Sequence, residues 1–293
     1  MPTGHLGFTP FEAGSFDIGL ARKPDFVVAD SGSSDIGPYP LGSDHSHSPR
    51  AWQRQDLEHM LIGARKLKVP MIIGSASDTG TDSGVRAFAQ MIRDIAQQHS
   101  LAPFKMATIY SEQDPKAIAQ AIGQGVKLTG LGGREDATTE LLARTDRVVA
   151  VMGAEPLVEA LQQGAEVIIA GRSCDSALCA SGALFAGIPQ AQAWYGGKVL
   201  ECSSFCAEPY MGKESVLGTV SEKSVIVEAM HPGQRCTPLS LASHSMYERL
   251  DPYHEFVPGG ALDVGEAIYK QVSDKATEVT GMRWQPGLYA IKL

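Results

Sequence analysis

The stretch "VPMIIGSASDTGTDSGVRAFAQMIRDIAQQ", residues 69–98, changes period in its middle. Val69 to Gly74 is a short continuous apolar run, the pattern of a strand buried on both faces. From Asp82 to Gln98 the residues Val85, Phe88, Ala89, Ile92 and Ala96 fall on one helical stripe. A buried strand followed by an amphipathic helix is half of a βαβ unit, the building block of a parallel sheet. Between the two lie Ser75-Ala76-Ser77-Asp78-Thr79-Gly80-Thr81-Asp82, small and hydroxylated, where such a sheet binds ligands.

The same alternation recurs along the chain. Apolar runs at 26–29, 104–110, 148–152 and 166–170 read as further strands. Gln53 to Lys66 carries Leu57, Met60, Leu61 and Ala64 on one stripe, and Ala154 to Gln163 forms a crossover helix that stops at Gly164. Asp114-Pro115 starts another helix as N-cap and first helical residue, running to Gly123. The fold class is therefore α/β: a mostly parallel sheet flanked by helices, Rossmann-like and doubly wound. Residues 128–135, LTGLGGRE, read as a flexible connection.

After residue 172 the rhythm changes. Ser173 to Gly187 reads as a small-residue helix, suited equally to packing within one chain or across a dimer. TVSEKSVIVEAMHP, residues 219–232, reads as one alternating strand, followed by a helix around Pro238 to Leu250 and a loop over 251–263. The expected division is an α/β domain at 1–215 and a smaller α+β subdomain at 216–293. GLYAIKL, residues 287–293, is strand-like with no turn after it, which predicts a chain truncated after Leu293.

Composition narrows the function classes. The 293 residues are 43% hydrophobic, enough for a substantial core, and carry a formal charge of -8 with no basic run. That excludes a nucleic-acid surface, which needs clustered cations against phosphates. No apolar stretch reaches membrane-span length and no signal-peptide pattern opens the chain, so the expected location is cytoplasmic. Cys174, Cys179, Cys202, Cys206 and Cys236 form an odd set without a CxxC pair, reading as reduced thiols. Neither GxGxxG nor GxxxxGK[ST] occurs, which argues against a nicotinamide dehydrogenase or an ATPase.

Polar residues gather after the strands. Asp30, Ser31 and Ser33 follow the first; Ser75, Ser77 and Thr79 the second; Gly153 the fourth; Arg172 and Asp175 the fifth. These types are also good caps and turn formers, the plain alternative for any single loop. Together they suggest a site in which the serine and threonine loops offer hydroxyl and amide donors to a substrate. Arg172 can grip a carboxylate through two parallel hydrogen bonds, or pair structurally with Asp175. Asp30 can serve as general base, metal ligand or ion-pair partner. His45 and His47 form an HxH beside Asp44, a metal-site pattern that needs further ligands from Asp30, Asp35, His231, His244 or His254; a solvated loop is the alternative. Cys202 and Cys206 have no histidine nearby in sequence and read as inert, leaving Glu201 as the better proton-transfer candidate.

Five strings carry a family resemblance: VADSGSSDIGPYPLGS (28–43), VPMIIGSASDTG (69–80), GAEVIIAGRSCDSAL (164–178), GKVLECSS (197–204) and CTPLSLASHSMYERLDPY with PGGALD (236–263). In this order they resemble the acyclic terpene utilisation family, the AtuA type, over nearly the whole chain. The resemblance implies a longer chain, a place in acyclic isoprenoid or branched-acid catabolism, and in some members a small companion domain. It points to Asp30, Ser33, Tyr39, Ser75, Arg172, Asp175, Glu201, Cys202, His244 and Tyr247. The expected function is a hydratase or lyase acting on a small hydroxy or unsaturated carboxylic acid or its coenzyme A thioester. Asp30, Arg172, Asp175, Glu201 and His244 would be catalytic; Ser31, Ser33, Tyr39, Ser75, Ser77, Thr79 and Gly153 would bind substrate. A homo-oligomer is expected, with a small companion subunit as a further partner. The sequence requires no cofactor and leaves a divalent metal open. A noncatalytic ligand-binding or assembly subunit and a metal-dependent hydrolase are the alternatives.

Overall fold

A computed structural model of the chain describes residues 1–32, 37–249 and 251–293. Helix α1 (Ala13–Ala21) precedes strand β1 (Val27–Asp30), and α2 (Tyr39–Ser43) and α3 (Arg50–Leu67) lead to β2 (Met71–Gly74). Helix α4 (Asp82–Gln98) leads to β3 (Met106–Ile109). Then come β4 (Glu112–Gln113), α5 (Pro115–Gly123), α6 (Thr139–Leu142), β5 (Val148–Val149) and α7 (Glu155–Gln162). Strand β6 (Val167–Ala170) is followed by α8 (Asp175–Phe185) and α9 (Gln190–Leu200). Local chemistry fixes several starts: Thr81 accepts the Gly84 N–H at 3.1 Å to cap α4, and Asp114 accepts the Lys116 N–H at 2.9 Å ahead of Pro115.

Four strands pair in the order β1-β2-β6-β3, every pair parallel. Their apolar runs serve both faces with the two-residue period of a strand. Val27, Ala29, Met71, Ile73, Val167 and Ile169 pack with α3 and α4 through Leu57, Met60, Leu61, Phe88 and Ile92. Val28, Ile72, Ile168 and Ala170 pack on the other face with Leu157 and Leu161 of α7 and Leu178 of α8. The side chains of Ile72, Ile73 and Ile168 are fully buried, each contributing about 1.5–3 kcal/mol relative to exposure.

The remaining chain is antiparallel. Strands β7 (Val216–Val220) and β8 (Val225–Ala229) precede α10 (Pro238–Ser245), and β9 (His254–Val257), β10 (Gly260–Asp263), β11 (Ile268–Gln271), β12 (Ala276–Thr280) and β13 (Arg283–Pro286) complete the order. They form a sheet β11-β12-β8-β7 and a sheet β13-β10-β9. Helix α9 packs on both: Trp194 stacks on Trp284 at 6.3 Å, and Tyr195 meets Tyr269 edge-on at 6.5 Å. Its Gly197 lies so close to α8 that a Cβ would fall 2.2 Å from the Ser176 carbonyl oxygen. The small residues of 173–187 thus serve α8–α9 packing within the chain.

Four expectations change. The segment 251–263 is not a loop: it holds β9 and β10, which pair as an antiparallel hairpin. Residues 148–152 do not join the parallel sheet: β5 pairs antiparallel with β4. Ala150, Met152 and Cys174 exchange backbone bonds along the loops beyond β3 and β6, which satisfies this segment outside the sheet. TVSEKSVIVEAMHP is a hairpin, its turn closed by the Ser221 N–H on the Ser224 carbonyl at 2.9 Å. GLYAIKL makes one bridge, Lys292 to Val151, and no longer strand. No helix among the described residues is long and apolar enough to cross a membrane.

Candidate functional site

Backbone bonds tie the loops at the carboxyl ends of the parallel strands together. The Ser75 N–H donates to Gly171, the Asp78 N–H to Ser31 and the Arg172 N–H to Gly80, each at 3.0 Å. Ser111, just beyond β3, donates to the Gly80 carbonyl at 2.9 Å and accepts from the Arg172 N–H at 2.7 Å. The β2 loop turns so sharply that Ser75, Ser77 and Asp78 have φ of 45°, 67° and 63°. Left-handed backbone at non-glycine residues costs about 1–3 kcal/mol each and persists only where the surroundings hold it. Gly32 is needed because a Cβ there would fall 2.7 Å from the Ser75 Cβ, with the Arg172 guanidinium at 3.0 Å.

Under Arg172 lies a pair of carboxyls. Asp30 is 1% exposed; its Oδ1 accepts the Ser31 and Gly32 N–H groups at 2.8 and 3.2 Å. Its Oδ2 meets no N–H or O–H donor among the described residues and faces the Asp175 carboxyl instead. Burial first, then the Asp175 charge, push Asp30 well above the usual carboxylate range, with Arg172 opposing them. Burial and the neighbouring Asp175 carboxylate both favour the neutral form of Asp30. Asp175 opens α8 and reaches solvent, with 36% of its side chain exposed and Arg172 Nη2 3.6 Å away.

A second polar group adjoins the first through Ser176. The Ser176 hydroxyl lies 3.0 Å from Glu201 Oε2 and 2.5 Å from Glu255 Oε1. One hydroxyl proton serves one acceptor, so the other contact needs a protonated carboxyl. Burial, then Glu255, raise Glu201 to about 8, against the pull of Lys198, whose ammonium it accepts. Lys198 would be lowered by its burial, but Glu201 and Glu255 raise it. Arg249 Nη2 binds Glu255 at 2.7 Å. His244 lies beside Glu201 and Cys202: one ligand atom from each falls within 4.8 Å of the others. Burial, then Lys198 and Arg249, lower His244 to about 4, and its Nε2 has no partner among the described residues.

The structure therefore gathers Asp30, Arg172, Asp175, Glu201 and His244 into one continuous polar region. The hydroxyl loops behave differently. Ser31 donates to Leu6, Ser77 accepts from Arg50 at 2.7 Å, Thr79 pairs with Thr81 at 2.8 Å, and Ser75 accepts the Ser173 N–H at 3.4 Å. All four are buried and brace the loops. Ser33 and Asp35 lie outside the described residues. Gly153 lies close to the Pro258 ring, whose Cβ would stand 3.0 Å from an added Cβ, with the movable Glu155 carboxylate at 2.4 Å. Tyr39 is 59% exposed and packs on His47, ring centroids 5.4 Å apart. His45 is also exposed, and neither histidine of the HxH belongs to the one close group of three metal-competent side chains among the described residues.

Ser111, Ser176, Lys198, Arg249 and Glu255 were not singled out from the sequence. Lys198 alone carried a signal, sitting three residues before Glu201 at helical spacing. A family model described as acyclic terpene utilisation family protein AtuA matches residues 14–293. No curated protein and no solved structure matches. With strand ends, glycines and family pattern covering the same residues, the chain belongs to the acyclic terpene utilisation (AtuA) family.

Proposed function

We propose that this chain is a catabolic enzyme of acyclic terpenoid or branched-acid degradation, acting on a small hydroxylated or unsaturated carboxylic acid or its coenzyme A thioester. The reaction class is addition or removal of water, or the related retro-aldol cleavage. The observation that carries this reading is the group of Asp30, Asp175 and Arg172: a buried carboxyl pushed toward its neutral form beside a solvent-reaching carboxylate that lies 3.6 Å from the guanidinium.

Such chemistry needs a base at the carbon next to a carbonyl, an acid for the departing hydroxyl, and positive charge where enolate charge develops. Asp175 reaches solvent and is the group that takes the proton. Asp30, buried beside it, acts as a positioning residue. Arg172 holds the carboxylate or developing oxyanion in place of the half-formed pair with Asp175.

The test is exchange of the α-proton of branched hydroxy and enoic acids and their thioesters in deuterium oxide, followed by proton NMR. Asp175→Asn should slow exchange by about 10²–10⁴-fold, the range for a lost acid–base group. Unchanged exchange in Asp175→Asn and Arg172→Ala would overturn the assignment. No exchange with any acid, but tight acid binding that needs Arg172, would instead favour the noncatalytic ligand-binding subunit.

A further inference from the structure

We infer that Glu201, Cys202 and His244 form a binding site for one zinc-class divalent cation, on the α10 side of the carboxyl pair. The inference does not depend on the proposed reaction, and its readout needs no substrate.

The three side chains come from α9's end and from α10, and their donor atoms already lie within 4.8 Å of one another. Bonds of 2.0–2.3 Å to a tetrahedral zinc place donors ~3.5 Å apart, so small side-chain rotations close the gap. His244 supplies the independent observation: the residue is 5% exposed, yet its Nε2 has no hydrogen-bond partner among the described residues. A buried ring nitrogen without a partner lacks something it is built to bind.

The surroundings fit a ligand set. Glu201 accepts from Lys198 and from Ser176, the kind of outer contact that orients a metal-binding carboxylate. Lys198 also faces the Tyr247 ring at 5.7 Å, a second contact that could take its ammonium away from the carboxylate when a cation binds. An open pocket of about 250 Å³, lined by Phe205, Ser240, Ser243, His244 and Tyr247, begins at the histidine. Three protein ligands with an open fourth position facing such a pocket is the arrangement of a reactive zinc site. Thiol, imidazole and carboxylate together select zinc or cobalt over magnesium or calcium. On binding, the Cys202 thiol gives its proton to solvent and the cation takes its place.

Cobalt(II) is the probe, added to the full chain after chelator treatment and removal of the chelator. The expected result is one equivalent bound, with a thiolate-to-cobalt charge-transfer band that zinc abolishes and millimolar magnesium leaves unchanged. Cys202→Ser should remove the band, and His244→Gln should weaken binding at least tenfold. Cys174→Ser and Cys179→Ser should change neither. Because buried substitutions can damage folding, the thermal midpoint of the unmodified chain is a second readout and should rise with zinc concentration. No stoichiometric cobalt band, a band that survives Cys202→Ser, or a midpoint that zinc leaves unmoved would overturn the site.

Discussion

Replacing Asp30 separates a buried neutral acid from a buried anion. In Asp30→Asn the amide oxygen still accepts the Ser31 and Gly32 N–H groups, while the new N–H₂ stands toward Asp175 where the carboxyl proton stood. If Asp30 carries a proton, this exchange is nearly isosteric and should cost less than about 1 kcal/mol near pH 5. Asp30→Ala removes the acceptor: the Gly32 N–H loses its partner, whereas Ser31 keeps its bond to Gly74. An orphaned buried donor costs about 1–3 kcal/mol and the lost contact with Asp175 about 1 more, so Ala should cost roughly 2–4 kcal/mol. The pH dependence has a definite sign. Asp30 is raised in the folded chain and returns to about 3.9 when unfolded, so between those values the native state holds the extra proton. Its contribution is fully present below the unfolded pKa and is lost as pH rises through the folded one, with a slope of up to about 1.4 kcal/mol per unit. The Asn variant lacks that titration and should gain on the unmodified chain as pH rises. Urea unfolding followed by tryptophan fluorescence, from about pH 5 to about pH 8, measures both. An Asn variant as damaged as Ala, or a difference that stays flat with pH, would refute a protonated Asp30.

Two predictions concern the frame around the site. Gly197→Ala drives a Cβ into the Ser176 carbonyl of α8 and should cost about 1–3 kcal/mol, read as a drop of a few degrees in the thermal midpoint; an unchanged midpoint would contradict the close approach. Burial alone would raise Asp78, but bonds from His5, Ser46 and Ser48 outweigh it and lower it. Its contribution is therefore present above the unfolded pKa and lost as pH falls through the folded value. Asp78→Ala should remove it and speed limited proteolysis at residues 44–48; cleavage at the original rate would show that Asp78 does not hold that segment.

Much of the strand-end region was legible because each of its residues comes just after a short apolar run. Asp30, Arg172 and Asp175 could be placed from position alone, since parallel strands deliver their succeeding loops to one edge of the sheet. The serines were legible as a cluster but not in role. A loop with three left-handed non-glycine residues needs internal acceptors and donors, and Ser31, Ser77 and Thr79 supply them. Residues 148–152 have a strand's composition, yet nothing in them tells that their backbone partners would be loops beyond the sheet. Cys202 looked inert for want of a neighbouring histidine; the fold brings one from 42 residues downstream. Glu255 reaches Ser176, and brings Arg249 with it, only because the antiparallel strands fold back over α8 and α9, an arrangement set by tertiary packing on Trp194 and Tyr195. The HxH was the loudest motif and stayed at the surface.

The central claim is that one proton resides on the strand-end carboxyl pair at neutral pH. Infrared spectroscopy with carbon-13-labelled aspartate tests it most directly. The unmodified chain should show a labelled protonated-carboxyl stretch at neutral pH that disappears in Asp30→Asn. A spectrum containing only ionised aspartate, or a protonated band that survives that substitution, would contradict the account.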